Sequence, residues 1–313
     1  IGLDTYRIQN RGGKGIKGMQ TREEDVVTKL FLSSNHSYLL YFTDMGRVYR
    51  TKTYNIPEAG RTAKGTPVVN IIEKSPEEKI SEIIPVKEFS DNEYLVMVTK
   101  NGIIKKTPAS EYESIRKSGK IAITLKEGDE LISIFKTTGN DNIFLATING
   151  MAICFNENDA RAVGRTASGV KAIDLADGDY VVGAEPVRED SKVLLVTDGG
   201  YGKCTDLTSF RIQHRGGKGL KAYKITEKTG NIIGISMVND SEELIMVTSE
   251  GVVIRIRIKD IATTTGRITQ GVRLINLNDG VTVVSMDKIS AEDTVEEESE
   301  ENNTEVTAET TEE

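Results

Sequence analysis

The chain of 313 residues has no tryptophan, two cysteines and two histidines. Cys154 and Cys204 are too few for a disulfide framework, and His36 and His214 have no neighbours at metal-ligand spacing, so a stapled secreted scaffold and a zinc module are both excluded. Aromatics make up 5% of the chain, which argues against stacking of single-stranded bases as a main binding mode. No apolar run is long enough to span a membrane, and the opening "IGLDTYRIQN" shows no export or transit signal. A reducing cytoplasm is the expected setting. The first residue is Ile1 rather than Met, which suggests a fragment.

Basic residues are absent from one region altogether. From Ser290 onward the chain holds 11 of the 48 acidic residues and none of the 40 basic ones, leaving 37 acidic against 40 basic residues before it, a net +3. An acidic block without aromatics buries too little apolar surface to offset its ordering entropy, so residues 290–313 are expected to be a disordered acidic tail. It is equally consistent with a solubilising segment and with one that competes with a polyanion for the basic part. Residues 1–289 are the expected folded domain.

Two landmarks recur through that domain. The first is an apolar run ending in Thr, two residues, then Gly: "LLYFTDMG", "LVMVTKNG", "IFLATING", "VLLVTDGG" and "LIMVTSEG", with glycines at 46, 102, 150, 200 and 251. The second runs from Arg to Gly, as in "RGGKG", "RTAKG", "RKSG", "RTASG", "RGGKG" and "RITQG", ending at Gly15, Gly65, Gly119, Gly169, Gly219 and Gly271. Each of the last five follows a first landmark by 17 to 20 residues, a fixed phase that signals a repeat of about 50 residues. The apolar runs are short, β-branched and bounded by turn residues, which reads as strand, tight turn and returning strand. In "VVIRIRIK", Ile254, Ile256 and Ile258 alternate with Arg255, Arg257 and Lys259, giving an apolar face and a cationic face. No long amphipathic helix is legible. The expectation is an all-β, propeller-like disc of repeated blades. Six copies of the second landmark face five of the first, which puts the absent turn before Ile1.

"GKGIKG", Gly13 to Gly18, satisfies a dinucleotide-type glycine pattern, but it sits between strands of a β repeat and not at a strand-to-helix turn, so a nucleotide site is rejected. A glycine-rich loop that serves only to admit positive φ is the plain reading of any single copy. The recurring cations favour more. Lys17, Arg61, Lys64, Arg116, Lys117, Lys120, Arg165, Arg215, Lys218, Lys221 and Arg267, with Arg11 and Lys14, occupy corresponding phases of successive repeats. In a closed disc such positions share one rim, and a ring of Arg and Lys beside accessible backbone N–H groups matches a ring of phosphates. No acid/base pair, metal cluster or activated Ser or Cys is visible.

"QNRGGKG", together with "LDTYRIQNRGGKGIKGM" and "FTDMGRVYRTKTYNIPEAGRTAKG", resembles the C-terminal DNA-wrapping domain of bacterial DNA gyrase A, over residues 1 to about 289. Gln9, Arg11, Gly12, Gly13, Lys14 and Gly15 match that family's box position by position, with Asn10 in place of the usual basic residue; Gln213 to Gly219 is a second copy carrying His214. The resemblance implies a six-bladed β-pinwheel that wraps double-stranded DNA. It also implies partner domains elsewhere: the cleaving N-terminal region and gyrase B, in an A2B2 assembly, with ATP and magnesium acting there and no cofactor here. Tyr6 then belongs to the strand or rim and is not a nucleophile. The fragment itself is expected to be a monomer. Two other readings remain, the corresponding domain of topoisomerase IV and a propeller that binds acidic proteins.

Overall fold

The computed structural model describes residues 16–17, 33–59, 63 and 65–289. Each Thr-to-Gly landmark is a β-hairpin: Tyr38–Thr43 with Arg47–Lys52, Tyr94–Thr99 with Ile103–Pro108, Asn142–Thr147 with Met151–Asn156, Lys192–Thr197 with Tyr201–Asp206, and Glu243–Thr248 with Val252–Arg257. The motif has a local cause. The Thr carbonyl accepts the N–H of the Gly (2.9–3.0 Å) and the Thr hydroxyl accepts the N–H of the residue after it, as Thr99 does from Gly102 and Ile103. The Gly needs a φ of +75° to +83°, a region closed to most L residues. All five threonines are buried, and in all five blades the pairing of the hairpin with the next strand shifts register beside them, a repeated bulge.

Two further strands flank each hairpin, and neither belongs to the hairpin's own turn; the sheet of Lys192–Thr197 and Tyr201–Asp206 has one more, Thr263–Thr264, parallel to Tyr201–Asp206. On one side lies Ile80–Val86, Leu131–Thr137, Val181–Pro186, Ile232–Val238 or Val283–Ile289, and on the other a two-residue strand that directly follows a second landmark. The inner strands pack side by side in chain order and together line a central cavity of ≈ 520 Å³, where Glu185 accepts from the Met237 N–H (2.8 Å) and faces Lys288 at 3.5 Å. The cores lie between blades: Val96, Val98 and Ile104 of one hairpin pack with Ile143, Leu145 and Ile153 of the next.

The two-residue strands are exchanged between repeats. Lys120–Ile121, Val170–Lys171, Leu220–Lys221 and Val272–Arg273 each pair with the returning strand of the preceding hairpin, not of their own. Ile16–Lys17 pairs in the same register with Val252 and Val253 of the last hairpin, so the start of the chain closes onto its final blade. The link is reinforced by the turn glycines: the carbonyls of Gly46, Gly102, Gly150 and Gly200 each accept two N–H groups from the segment after the next exchanged strand, such as Ala172 (2.7 Å) and Ile173 (3.4 Å) at Gly102.

The all-β, propeller-like expectation holds, with a correction. Five sheets, not six, form among the described residues, because a blade needs a hairpin and the Gly15 repeat has no Thr-to-Gly landmark within the chain. A second correction concerns "VVIRIRIK". Ile254, Ile256 and Ile258 are buried as expected and Arg257 and Lys259 are exposed, but Arg255 is buried and bonded to Glu243, because each sheet is covered on both faces by its neighbours. Residues 290–313 lie outside the described residues. Helical structure among the described residues is limited to single 3₁₀ turns, and no helix among them is long and apolar enough to cross a membrane.

A Cβ on Gly46 would stand 2.5 Å from the Ile123 carbonyl oxygen, on top of its φ of +75°; Gly128 has the same φ (+74°) with nothing within 4 Å. Gly46→Ala is therefore expected to cost about 3 kcal/mol and Gly128→Ala about 1 kcal/mol, read from urea denaturation.

Candidate nucleic-acid interface

The exchanged strands are the outermost strands of their sheets, opposite the central cavity, so the second landmarks that end at Gly119, Gly169, Gly219 and Gly271 lie on the perimeter of the disc. The cations of that landmark fall into two kinds. Arg116, Lys117, Lys218 and Lys221 are exposed, and Lys120 is half-buried. Arg165, Arg215 and Arg267, each the first residue of its motif, are half-buried and turned sideways along the rim. Arg165 donates to the carbonyl of Ile121 (2.9 Å), Arg215 to that of Lys171 (2.9 Å) and Arg267 to that of Lys221 (3.3 Å). Each acceptor stands two residues past the rim glycine of the previous repeat. The arginines thus link one rim loop to the next, and Arg215 adds a bond to the Asp159 carbonyl (2.8 Å).

The rim glycines serve packing. Gly169, Gly219 and Gly271 have φ of +70° to +88°, and a Cβ on them would meet the carbonyl oxygens of Ile104, Ala152 and Gly202 at 2.4–2.5 Å. The backbone comes this close because the exchanged strand must reach the preceding hairpin. In the second box copy, Gly216 donates its N–H to the Ala172 carbonyl (2.6 Å) and the Gly217 carbonyl accepts from Asp174 (2.9 Å), so these groups face inward. His214 is almost fully exposed, with Nδ1 3.3 Å from Asp159 Oδ2. Of the first box, Gln9, Arg11, Gly12, Gly13, Lys14 and Gly15 lie outside the described residues, as do Arg61, Lys64 and Tyr6; Lys17 is described in backbone only, paired with Val252.

Cations that sequence phase alone passed over also stand on this perimeter. Lys171 and Arg273 occupy the position two past the rim glycine, equivalent to Lys17 and Lys221, and the period would have found them. Lys171 is paired with Asp174 (2.8 Å), whose carboxyl it holds below the usual range. Arg273 donates to the Tyr201 hydroxyl (3.0 Å). Cys154 and Cys204 are buried free thiols, pushed by burial up to about 11 and about 12. Among the described residues no three His, Cys, Asp or Glu side chains group as a metal site.

Known proteins share this arrangement. The family model described as DNA gyrase C-terminal domain, beta-propeller, matches six segments, 1–34, 37–87, 93–138, 141–188, 191–239 and 242–290. DNA gyrase A of Clostridium acetobutylicum is 50% identical over 293 residues, 94% of this chain and 35% of that protein. DNA gyrase A of Halalkalibacterium halodurans is 54% identical over 291 residues, 93% and 35%. The chain spans about a third of the length of these curated relatives. In fold it is similar to a solved DNA gyrase A C-terminal domain (TM-score 0.82, 24% identity, 92% of this chain and 94% of that one). It is also similar to the C-terminal domain of DNA topoisomerase IV (TM-score 0.76, 27% identity, 92% and 90%).

The two kinds of cation predict different losses. Arg215→Ala, which removes the bonds to Asp159 and Lys171, is expected to lower stability by about 2 kcal/mol, whereas Lys218→Ala stays within about 0.5 kcal/mol of the parent; thermal and urea unfolding check both.

Proposed function

Because the chain belongs to the family of DNA gyrase C-terminal β-propeller domains, we propose that it is a non-catalytic element that bends double-stranded DNA and wraps it chirally around its basic perimeter. The observation that carries this reading is the placement of the exchanged strands, with Lys120, Lys171, Lys221 and Arg273, on the outer edge of successive sheets. Bending 20–30 base pairs by 40–90° costs about 1–6 kcal/mol, which several phosphate contacts per blade offset. With little base readout, such binding is of the architectural kind.

In this reading the box residues Gln9, Arg11, Gly12, Gly13, Lys14 and Gly15 make the closing contact, carried to the last blade by Ile16–Lys17. Lys17, Arg61, Lys64, Arg116, Lys117, Lys120, Lys218 and Lys221 hold phosphates, while Arg165, Arg215 and Arg267 keep adjacent loops in register and present the remaining charge. The wrapped segment crosses itself with positive sign and is handed to the cleavage gate of a bacterial, cytoplasmic gyrase of A2B2 composition, whose ATP-driven strand passage introduces negative supercoils. The acidic residues after Ser290 either compete with DNA for the rim or only aid solubility. A topoisomerase IV role, steering choice of DNA substrate, is the second reading, favoured by the similarity to that enzyme's C-terminal domain.

Ligating nicked plasmid in the presence of the chain tests the proposal. A shift in linking number that survives truncation after Ile289 and shrinks severalfold in Arg11→Ala/Lys14→Ala supports chiral wrapping. Tight plasmid binding with no shift would refute it, and binding insensitive to salt would refute phosphate contact, for which log K falls with log salt at a slope of roughly −0.9 per phosphate.

A further inference from the structure

In the four blades whose facing rim loop is described, the third residue after the turn glycine lies directly beneath that loop. In two of them it is Tyr49 or Ile153, and the packing is apolar or aromatic: the Tyr49 ring lies against Gly119 and Ile153 against Gly217 and Gly219; the fifth blade carries buried Ile254 at this position. In the other two it is Lys105 or Lys203, at 1% and 0% exposure. Lys105 Nζ donates to the carbonyls of Ala122 and Arg165, and Lys203 Nζ to those of Gly266 (3.4 Å) and Arg267. Arg165 and Arg267 are the first residues of their rim motifs. Each ammonium is therefore separated from the perimeter by little more than the peptide that it holds.

The fold does not require a charge here, since isoleucine fills the same position in two blades, and burying an ammonium costs free energy that neutral acceptors alone do not return. Around Lys105 stand the Arg165 guanidinium, the Glu111 carboxylate and the Tyr112 hydroxyl, which itself donates to the Ala122 carbonyl (3.5 Å). Around Lys203 stand the Arg267 guanidinium and the Tyr223 ring, 5.3 Å away. Glu111 offsets the burial in part at Lys105, and among the described residues no carboxylate does so at Lys203.

We propose, building on the DNA-binding reading, that Lys105 and Lys203 form a buried inner layer of the cationic rim whose counter-charge is the DNA backbone itself, so that DNA binding takes up protons. Burial and the neighbouring arginine lower Lys105 to about 7 and Lys203 to about 8 in the free domain. A phosphate laid across the loop favours the ammonium form and raises both. The signs then oppose each other. Between about 7 and the ordinary lysine value of 10.5 the unfolded chain binds more protons than the folded one, so stability of the free domain rises with pH across that window. Across its lower part DNA affinity falls, because the complex holds protons that the free domain has released.

The test measures binding of the full chain to linear plasmid-length duplex at fixed salt, from pH 7 to pH 9, with calorimetry in buffers of different ionisation enthalpy to count protons. Wild-type affinity is expected to fall about tenfold over that range with net proton uptake. Lys105→Ile/Lys203→Ile, a change the neighbouring blades already accommodate, is expected to remove most of the fall and the uptake while melting no lower than the parent. Wild-type binding without proton uptake, or an unchanged fall in a folded double variant, overturns the proposal, and the proton count on the wild type decides even if the variant fails to fold. Absence of any wild-type DNA binding would instead sink the function on which it rests.

Discussion

The disc depends on one interaction made again in four of the described blades, in which the carbonyl of the turn glycine Gly46, Gly102, Gly150 or Gly200 receives two N–H groups from the chain just past the next repeat's rim glycine. This bond holds the exchanged strand at the edge of the preceding hairpin and so joins these repeats to their neighbours by backbone. Both partners are restricted chemically. The turn glycine needs positive φ and has the next segment where a Cβ would project, and the rim glycines Gly169, Gly219 and Gly271 lie against a carbonyl of the hairpin they meet, as Gly119 lies against the Tyr49 ring. The two landmarks are therefore two sides of one contact, which is why their phase is fixed.

Strand exchange also places the proposed DNA-binding surface. A sheet edge is ordinarily a hazard, with unpaired N–H and C=O groups open to other chains. Here the outer edge is capped by a strand of only two residues that brings basic side chains with it, so the protected edge and the cationic perimeter are one structure. In three motifs the opening arginine, Arg165, Arg215 or Arg267, then reaches the carbonyl two past the previous rim glycine, tying loop to loop. Charge along this rim is held in place before any polyanion arrives, which lowers the ordering cost of binding.

The cores follow the same logic. Because hydrophobic clusters span adjacent blades, no blade is covered on both faces without its neighbours, and stability passes from repeat to repeat around the ring. Closure at the ends uses the shared register, with Ile16–Lys17 meeting Val252 and Val253 as Val170–Lys171 meets Ile103 and Ile104.

The β class, the period near 50, the hairpins and the perimeter cations were all determined by the sequence, because turn glycines, buried threonines and alternating apolar residues are demands of local backbone geometry. What each cation does was decided only by the tertiary structure. Arg165, Arg215 and Arg267 share a phase with exposed lysines yet bind carbonyls of the previous loop; Arg255 alternates like a surface residue yet is buried against Glu243; Lys105 and Lys203 sit where other blades carry isoleucine. Alternation along one strand reports which of two faces a residue takes, and the exchange of strands and the stacking of blades cover both. The partners of Arg165, Arg215, Arg267 and Lys203 then lie 44 to 64 residues away in sequence, at a distance no local pattern encodes.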